Sequence, residues 1–384
     1  MAAMVIGLWA GVVFVGTING LLQQRANYLI ESEITHAQIH HPQFQAEGYS
    51  WLFISEHEEI SSWLDADARV RNYTSRTITD GMARSPVKTS AVRIRGIDVE
   101  TETRTTKFHE NMVEGEYLDT QIRNPVIVGK KFAEEHQFQV GNRLVLTFED
   151  VDNQLTSASF NISGLFESVS SNYDERNVFV RAEDFAEILS DRPVYHEIAM
   201  MFEEMDQAEA VVSDINSRFD GVEAQTWKQL SPELSMIVEL GDFMMMLITI
   251  IIMTALAFGI LNTMLMALFE RMREIGMLLS IGMSKGRVFA MIMVESFMLT
   301  ITGAVAGMIL ALISIQMLSD TGINFEMFAE GIAEIGFDYI IYPVISLREM
   351  AGVSLIVVLI TLVASLYPAF KAIRIHPLEA AKDT

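Results

Sequence analysis

The side chains with the clearest potential for specific binding lie in the segment 270–285, which reads ERMREIGMLLSIGMSK. Charged residues come first, an apolar face follows, and a glycine and a serine close the segment: Glu270, Arg271, Arg273 and Glu274, then Ile275, Gly276, Leu279 and Ile281, then Gly282 and Ser284. The closing pair can cap a following helix. The pattern predicts a short helix at a membrane surface that presents a small knob, although an ordinary basic loop between two spans fits the composition equally well.

Four long apolar runs must hold this segment, and they predict an α-helical membrane protein with four transmembrane helices. We place the helices at residues 1–22, 242–269, 288–318 and 350–370. Residues 1–22 contain no charge, and a helix of that length covers the ~30 Å hydrocarbon core of a bilayer. A cleaved signal peptide would need a basic start and a small-residue cleavage site, so we expect a retained anchor.

Basic residues near the ends of the spans predict the orientation of the chain. The loop 270–287 contains four basic residues, and the tail 371–384 contains three. The loop 319–349 has one basic residue, Arg348, among six acidic ones. We therefore expect the loop 270–287 and the tail in the cytoplasm, and the loop 319–349 and the large insertion after the first span on the outside.

The long insertion at residues 23–241, between the first two spans, holds most of the net charge of −23. Strand-like alternation recurs along it, and helix-like stretches separate the strands. We predict an α+β periplasmic domain inserted between helices 1 and 2, with a strand-rich lobe at about 113–182.

Composition excludes several chemistries. The 384-residue chain has no cysteine, which removes thiolate metal sites and cysteine nucleophiles. Its 50 acidic against 27 basic residues oppose nucleic acid as a partner, because phosphate binding needs a basic face. No Ser/His/Asp arrangement stands out, and no G-x-x-x-x-G-K-[ST] phosphate loop is present. Alternation would place His36 and His40 on one face of a strand and His41 on the other, which does not favour a shared metal. We expect no catalytic residue, no metal site and no cofactor on this chain.

Two features inside the apolar runs are weaker candidate sites. Glu295 is an isolated charge in the third span, where a carboxylate is costly unless it is paired. We expect Arg271, Arg273 or the cytoplasmic surface to neutralise it, in preference to a role in proton coupling. Three consecutive methionines of the second span form an adaptable apolar surface, which faces lipid or, alternatively, contacts a lipid substrate: Met244, Met245 and Met246.

Several motifs resemble those of the FtsX/MacB-type ABC transporter permeases. The segment 270–288, followed by Glu295-Ser296, resembles the family signature, and the end of the chain, YPAFKAIRIHPLEA, resembles its closing pattern. Residues 114–119 and 125–129 resemble the MacB-type periplasmic core domain. The stretches 35–49 and 322–346 are similar to the lipoprotein-releasing LolC/LolE-like branch. Family members usually begin with a basic elbow helix, whereas this sequence opens inside the first span.

The resemblance implies a machine of several chains. Two permeases, this chain with a second copy or a paralogue, would sit on a cytoplasmic dimer of ABC ATPase subunits that binds ATP and Mg. The segment 270–285 would be the coupling helix that inserts into a groove of the ATPase. Closure of the ATPase would move the periplasmic domains by mechanotransmission, with hydrolysis on the separate chain.

The favoured function is the extraction of lipoproteins from the bacterial inner membrane, with membrane lipid and a periplasmic lipoprotein carrier or adaptor as further partners. One alternative is MacB-like export of periplasmic peptides or small molecules. The other is FtsX-like regulation of a cell-wall hydrolase, against which the large outer domain counts modestly.

Overall fold

The computed structural model describes residues 2–118, 121–190, 192–328 and 340–373. The chain forms two compact units: a helical unit from segments 2–24, 238–327 and 340–373, and a mixed unit built on residues 25–237. Residues 329–339 of the predicted periplasmic loop and 374–384 of the predicted tail lie outside the described residues.

Four of the helices are long and apolar enough to cross a membrane, within the part of the chain that the structure describes. The α-helices are α1 (Ala2–Leu29), α2 (Phe44–Glu47), α3 (His57–Ala66), α4 (Val99–Thr105), α5 (Lys130–His136), α6 (Ser171–Arg176), α7 (Ala182–Leu189), α8 (Ala208–Arg218), α9 (Trp227–Leu230), α10 (Pro232–Glu270), α11 (Met272–Ser280), α12 (Lys285–Thr321) and α13 (Leu347–Ile373). The four membrane-length helices are α1, α10, α12 and α13. Each of the four continues beyond the apolar run predicted for it, because helical hydrogen bonding does not stop where hydrophobicity does.

The core of the helical unit is formed by α1, α12 and α13. Leu8 of α1 packs with Ala311 of α12 and Val357 of α13. A Cβ atom on Gly307 of α12 would lie 3.0 Å from the carbonyl oxygen of Val5, so the absence of a side chain there permits close approach of the two helices. None of the most apolar stretch of α10 is buried, which leaves this helix with an apolar surface open to lipid or to another chain.

Ten strands of the mixed unit form one sheet, and six of them close into a small barrel. The strands are β1 (Ala37–His40), β2 (Val70–Arg84), β3 (Thr89–Ile97), β4 (Met112–Gly115), β5 (Pro125–Gly129), β6 (Arg143–Glu149), β7 (Leu155–Phe166), β8 (Asn177–Arg181), β9 (Glu197–Phe202) and β10 (Glu223–Thr226). Around the barrel β2 pairs with β3, then β8, β5, β7 and β6 follow, and β6 pairs back with β2.

Alternating apolar side chains fill this barrel, among them Ile94, Leu146, Phe160 and Val178. Alternation places every second residue of a strand on the same face, which is why the strand-like pattern is visible in the sequence. The predicted strand-rich lobe at 113–182 contributes β5 to β8, while β2 and β3 precede it and complete the barrel.

A second, four-stranded antiparallel layer contains β10, β1, β9 and the first half of β2. Two amphipathic helices cover it: Ile60 and Leu64 of α3, and Val211 and Ile215 of α8, share one core with Ile39 of β1. Their spacing of four residues places each pair on one side of its helix. The mixed unit therefore confirms the predicted α+β class.

A buried charge network lies where β2 passes from one layer to the other. The Nε and Nη2 atoms of Arg76 on β2 donate to the Glu102 carboxylate of α4, at 2.9 and 2.6 Å, and Nη1 donates to Glu197 of β9 at 2.5 Å. Burial alone would raise the pKa of Glu197, but the guanidinium groups of Arg76 and Arg95 outweigh it and lower the pKa to about 2. Glu197 therefore stays charged at neutral pH.

Candidate functional site

The segment predicted to bind a partner contains the short helix α11, between the membrane-length helices α10 and α12. The chain breaks at Arg271, turns, and runs as a helix to Ser280. Gly282 then takes a φ of +99°. Glycine adopts this backbone conformation freely, whereas it is energetically unfavourable for a residue that has a side chain. Ser284 precedes the first residue of α12. The turn therefore lets the chain reverse within a few residues.

One side of α11 is buried against the long helices. Ile275, which is 4% exposed, packs with Leu268 of α10, Val288 of α12 and Ala369 of α13. Gly276 is buried beside it, and Leu279 packs at the edge of the same cluster. These predicted site residues therefore position the helix on the unit and do not form its outer surface.

The other side of α11 is open. The exposed residues there combine charges with two large apolar side chains: Glu270, Arg271, Arg273, Glu274, Met277, Ile281, Gly282 and Ser284. Ile281 is 83% exposed and Met277 is 59% exposed. Met277 is the residue of this surface that the sequence analysis did not single out. An apolar knob surrounded by charged groups is the composition of a protein-binding surface.

Glu295, the isolated carboxylate of the third predicted span, forms an ion pair with Arg271. Arg271 Nη1 donates to Glu295 Oε1 at 2.6 Å, so the ion pair joins the start of the α11 segment to α12. An apolar cavity of about 240 Å³ lies next to the pair, with Met264, Ile275 and Leu278 in its lining. Arg271 and Glu295 themselves line this cavity as well.

The methionines of α10 lie on its open surface. Met244 and Met246 are about half exposed, while Met245 is partly buried. Phe243 and Leu240 are exposed next to them. This surface is apolar and flexible in shape, as expected for contact with lipid or with another apolar surface.

Two buried histidines of the mixed unit, His36 and His196, take part in hydrogen bonds of the fold. His36 Nδ1 accepts the backbone N–H of Phe202 at 3.0 Å, and burial lowers the pKa of His36. His196 Nδ1 accepts the backbone N–H of Ile78 at 3.1 Å, while its Nε2 donates to the carbonyl of Ser50 at 2.8 Å. Among the described residues, no group of three or more His, Asp or Glu side chains could hold a metal ion.

Sequence reasoning missed the buried charges Arg76, Glu102 and Glu197. The signal that the sequence offers for Arg76 is a charge in the middle of a strand-like run, NYTSRTIT, and a solvent-facing strand position would give the same pattern. Glu102 and Glu197 are 26 and 121 positions away from Arg76. Their convergence depends on the sheet topology and not on any local motif.

Membrane-length helices, a short helix between two of them and an α+β outer domain define a class, that of ABC transporter permeases. Residues 246–377 match the FtsX-like permease C-terminal family, and residues 1–218 match the MacB-like periplasmic core domain. The second match covers more than half of the chain. The chain therefore belongs to the FtsX/MacB family of ABC transporter permeases, which partner with a cytoplasmic ATPase.

Named relatives are similar at modest identity. The lipoprotein-releasing system transmembrane protein LolC of Xylella fastidiosa (strain Temecula1) is 23% identical over 306 residues, which cover 75% of this chain and 72% of LolC. LolC of Neisseria meningitidis serogroup B is also 23% identical, with 76% of this chain and 73% of LolC covered. The macrolide export ATP-binding/permease protein MacB of Sodalis glossinidius is 30% identical over 138 residues, 35% of this chain and 19% of MacB.

Proposed function

We propose that this chain is the non-catalytic permease subunit of an ABC transporter in a bacterial inner membrane, with the mixed unit in the periplasm. Helix α11 docks on a separate cytoplasmic ATPase dimer, which binds ATP and Mg and hydrolyses the nucleotide. The observation that carries this proposal is the contrast between α11 and the residue that directly follows it: Ile275 of α11 is buried in one cluster with side chains of three long helices, while Ile281, after the end of the helix, is 83% exposed.

The anchored side explains how a push on α11 would move the spans. Ile275 shares one buried cluster with side chains of α10, α12 and α13, so a displacement of α11 would pass to these helices through that cluster. The Arg271–Glu295 pair adds a direct link to α12. ATP-driven closure of the ATPase would therefore displace the spans, and with them the periplasmic domain, without a substrate pore through this chain.

A second permease, either another copy or a paralogue, is the proposed partner of α10. The open apolar surface around Met244 and Met246 supports this, because contiguous apolar surface is usually covered. The same methionines are candidates for contact with the lipid-modified end of a substrate.

The proposed task is the release of lipoproteins from the membrane to a periplasmic carrier. The support is the likeness to relatives named as lipoprotein-releasing over three quarters of the chain. The test is reconstitution of the permease and its ATPase in liposomes that hold a lipoprotein. We expect ATP, and not ADP, to release the lipoprotein when the carrier is present. No release with several lipoproteins would remove this assignment.

Export of periplasmic peptides or small molecules is the second candidate, favoured by the MacB-like periplasmic core domain and the 30% identity to a macrolide exporter. Affinity purification from native membranes separates the two. An ATPase together with a lipoprotein or its carrier supports release, whereas an ATPase with an adaptor and an outer-membrane channel supports export. A bound cell-wall hydrolase would instead indicate the regulatory function.

A further inference from the structure

The outer face of β3 carries two arginines that line a long groove of the mixed unit. Arg93 and Arg95 alternate on this strand with Ile94, which is buried in the barrel core. Both arginines and Tyr173 of α6 line a cavity of about 780 Å³ and also a cavity of about 280 Å³. Because the same three side chains line both cavities, the two adjoin and form one groove, which has the size of a site for a drug-sized ligand.

The ionised carboxylates of this groove already have cationic partners. Asp80 accepts a hydrogen bond from Arg93 Nε at 2.8 Å. The other three ion pairs are Glu135 with Lys88, Glu175 with Lys131 and Glu197 with Arg76. Burial raises the pKa of Glu33 to about 8, so this carboxyl is mostly protonated and uncharged at neutral pH. The groove therefore holds no free carboxylate that would select a cation.

Two guanidinium groups of the groove have no carboxylate at hydrogen-bonding distance within the described residues. Arg95 Nε donates to Asn177 at 3.2 Å, but its Nη1 lies 3.7 Å from Glu197 Oε1. Arg176 lies at an exposed position of α6 at the same groove. Burial raises the pKa of Tyr173, so its hydroxyl stays a protonated donor. Such a surplus of N–H and O–H donors suits an oxyanion.

Negative charges outside the groove do not fill it. Asp174 of α6 is not in its lining, and its carboxylate accepts the backbone N–H of Ser168 at 3.0 Å. The insertion that contains the mixed unit is acidic as a whole, but physiological salt screens exposed charges beyond about 8 Å. The groups that line the groove therefore decide what it binds.

The spacing of the two arginines matches that of an extended chain. Residues two positions apart on a strand lie on one face, about 6.6 Å from each other, and the same spacing separates alternate side chains of an extended peptide. We propose that the groove binds an extended acidic peptide segment, with two carboxylates two positions apart on Arg93 and Arg95. The Arg93–Asp80 pair is about half exposed on both sides. Exposed pairs contribute little, so Arg93 can share its guanidinium with the ligand.

The experiment measures binding to the full chain, purified in detergent, by titration calorimetry. The probes are the acetylated and amidated pentapeptide SESES and its uncharged counterpart SQSQS. Arg95→Gln removes a charge from the centre of the groove. Arg143→Gln is the matched control, since it removes the same charge from an exposed position of β6 outside the lining. We expect Arg95→Gln to weaken SESES binding by about tenfold or more, with no change for Arg143→Gln and no binding of SQSQS.

A second variant, Arg176→Gln, changes an exposed position, where substitution leaves the fold intact. It should weaken SESES binding by about threefold or more. It decides the matter if Arg95→Gln lowers the melting temperature. The isomer SEESS, which has adjacent carboxylates, should bind more weakly than SESES.

Four results would each overturn the proposal: unchanged binding in Arg176→Gln, wild-type affinity in a folded Arg95→Gln, equal binding of SESES and SQSQS, or equal binding of SESES and SEESS. Displacement of SESES by inorganic phosphate at equal concentration would overturn it as well, because the groove would then be a site for a free anion. The assay needs neither ATPase nor lipoprotein, so it is independent of the proposed function.

Discussion

Replacement of Ile281 by alanine is the sharpest test of the proposed coupling surface. Full burial of an isoleucine side chain is worth about 1.5–3 kcal/mol, and Ile281 is 83% exposed in the isolated chain, so nearly all of this remains available for a partner. If the ATPase covers the side chain, Ile281→Ala should cost about 2 kcal/mol per site. Since 1.4 kcal/mol is a factor of ten, the affinity should fall by about thirtyfold.

The assay is binding of the purified ATPase to the permease in detergent, followed by ATPase activity of the reconstituted complex. Ile251→Ala is the matched control, because Ile251 is 67% exposed on α10 and undergoes the same chemical change away from α11. Ile275→Ala separates anchoring from docking. Its side chain is buried, so it should lower the stability by about 2–5 kcal/mol.

Wild-type affinity in Ile281→Ala would show that the apolar knob does not enter the ATPase, and the proposed role of α11 would then fail. An equal loss in Ile281→Ala and Ile251→Ala would refute the reasoning in another way, since it would mean that any exposed apolar side chain contributes. The melting temperature of Ile281→Ala should match that of the wild type, because the residue makes few contacts within the chain.

Further predictions concern pH and packing. Burial raises the pKa of Asp174 to about 6, although hydrogen bonds from Ser168 act in the opposite direction. The charged carboxylate therefore destabilises the fold above that pH. We expect Asp174→Asn to raise the free energy of unfolding at pH 8 by up to about 3 kcal/mol. Burial lowers the pKa of His196 to about 4, so the unfolded chain takes up this proton first, and the contribution of His196 to stability should fall as the pH drops from about 6.5 to 4. The same pH profile of the melting temperature in the wild type and in His196→Gln would contradict this. Gly20→Ala should lower the melting temperature, because its Cβ would lie 2.1 Å from the carbonyl oxygen of Tyr342, whereas Gly259→Ala, with nothing within 4 Å, should not.

Much of the fold follows from local patterns. Each apolar run is long enough to cross the hydrocarbon core with almost no charge, so the runs predict four spans without knowledge of how these pack. Alternation predicts strands such as β6 and β8, because each places one face in the barrel. The closure of the barrel does not follow, since β2 must pair with β6 across a separation that no local pattern encodes. Pairing over such distances is decided by the topology as a whole.

The candidate site shows where periodicity fails. Segment 270–285 has apolar residues on both sides of its helix, so the sequence cannot say that Ile275 faces the long helices and that Ile281 faces outward. In an ordinary amphipathic helix the polar face identifies the solvent side. Here the open side also carries apolar side chains, and the packing of three neighbouring helices selects the buried one. The same neighbours place Arg271 within hydrogen-bonding distance of Glu295.

The buried network of Arg76 bears on how motion could be used in the periplasm. A domain that is pulled at its base transmits force only if its layers do not slide, and the barrel and the four-stranded layer share a single strand, β2. Arg76 sits on that strand and fixes Glu102 of α4 and Glu197 of β9. Removal of one member of a buried ion network costs about 3–5 kcal/mol, because the remaining charge is left without a partner. The network therefore resists relative movement of the two layers, which the proposed transmission of motion from an ATPase would require.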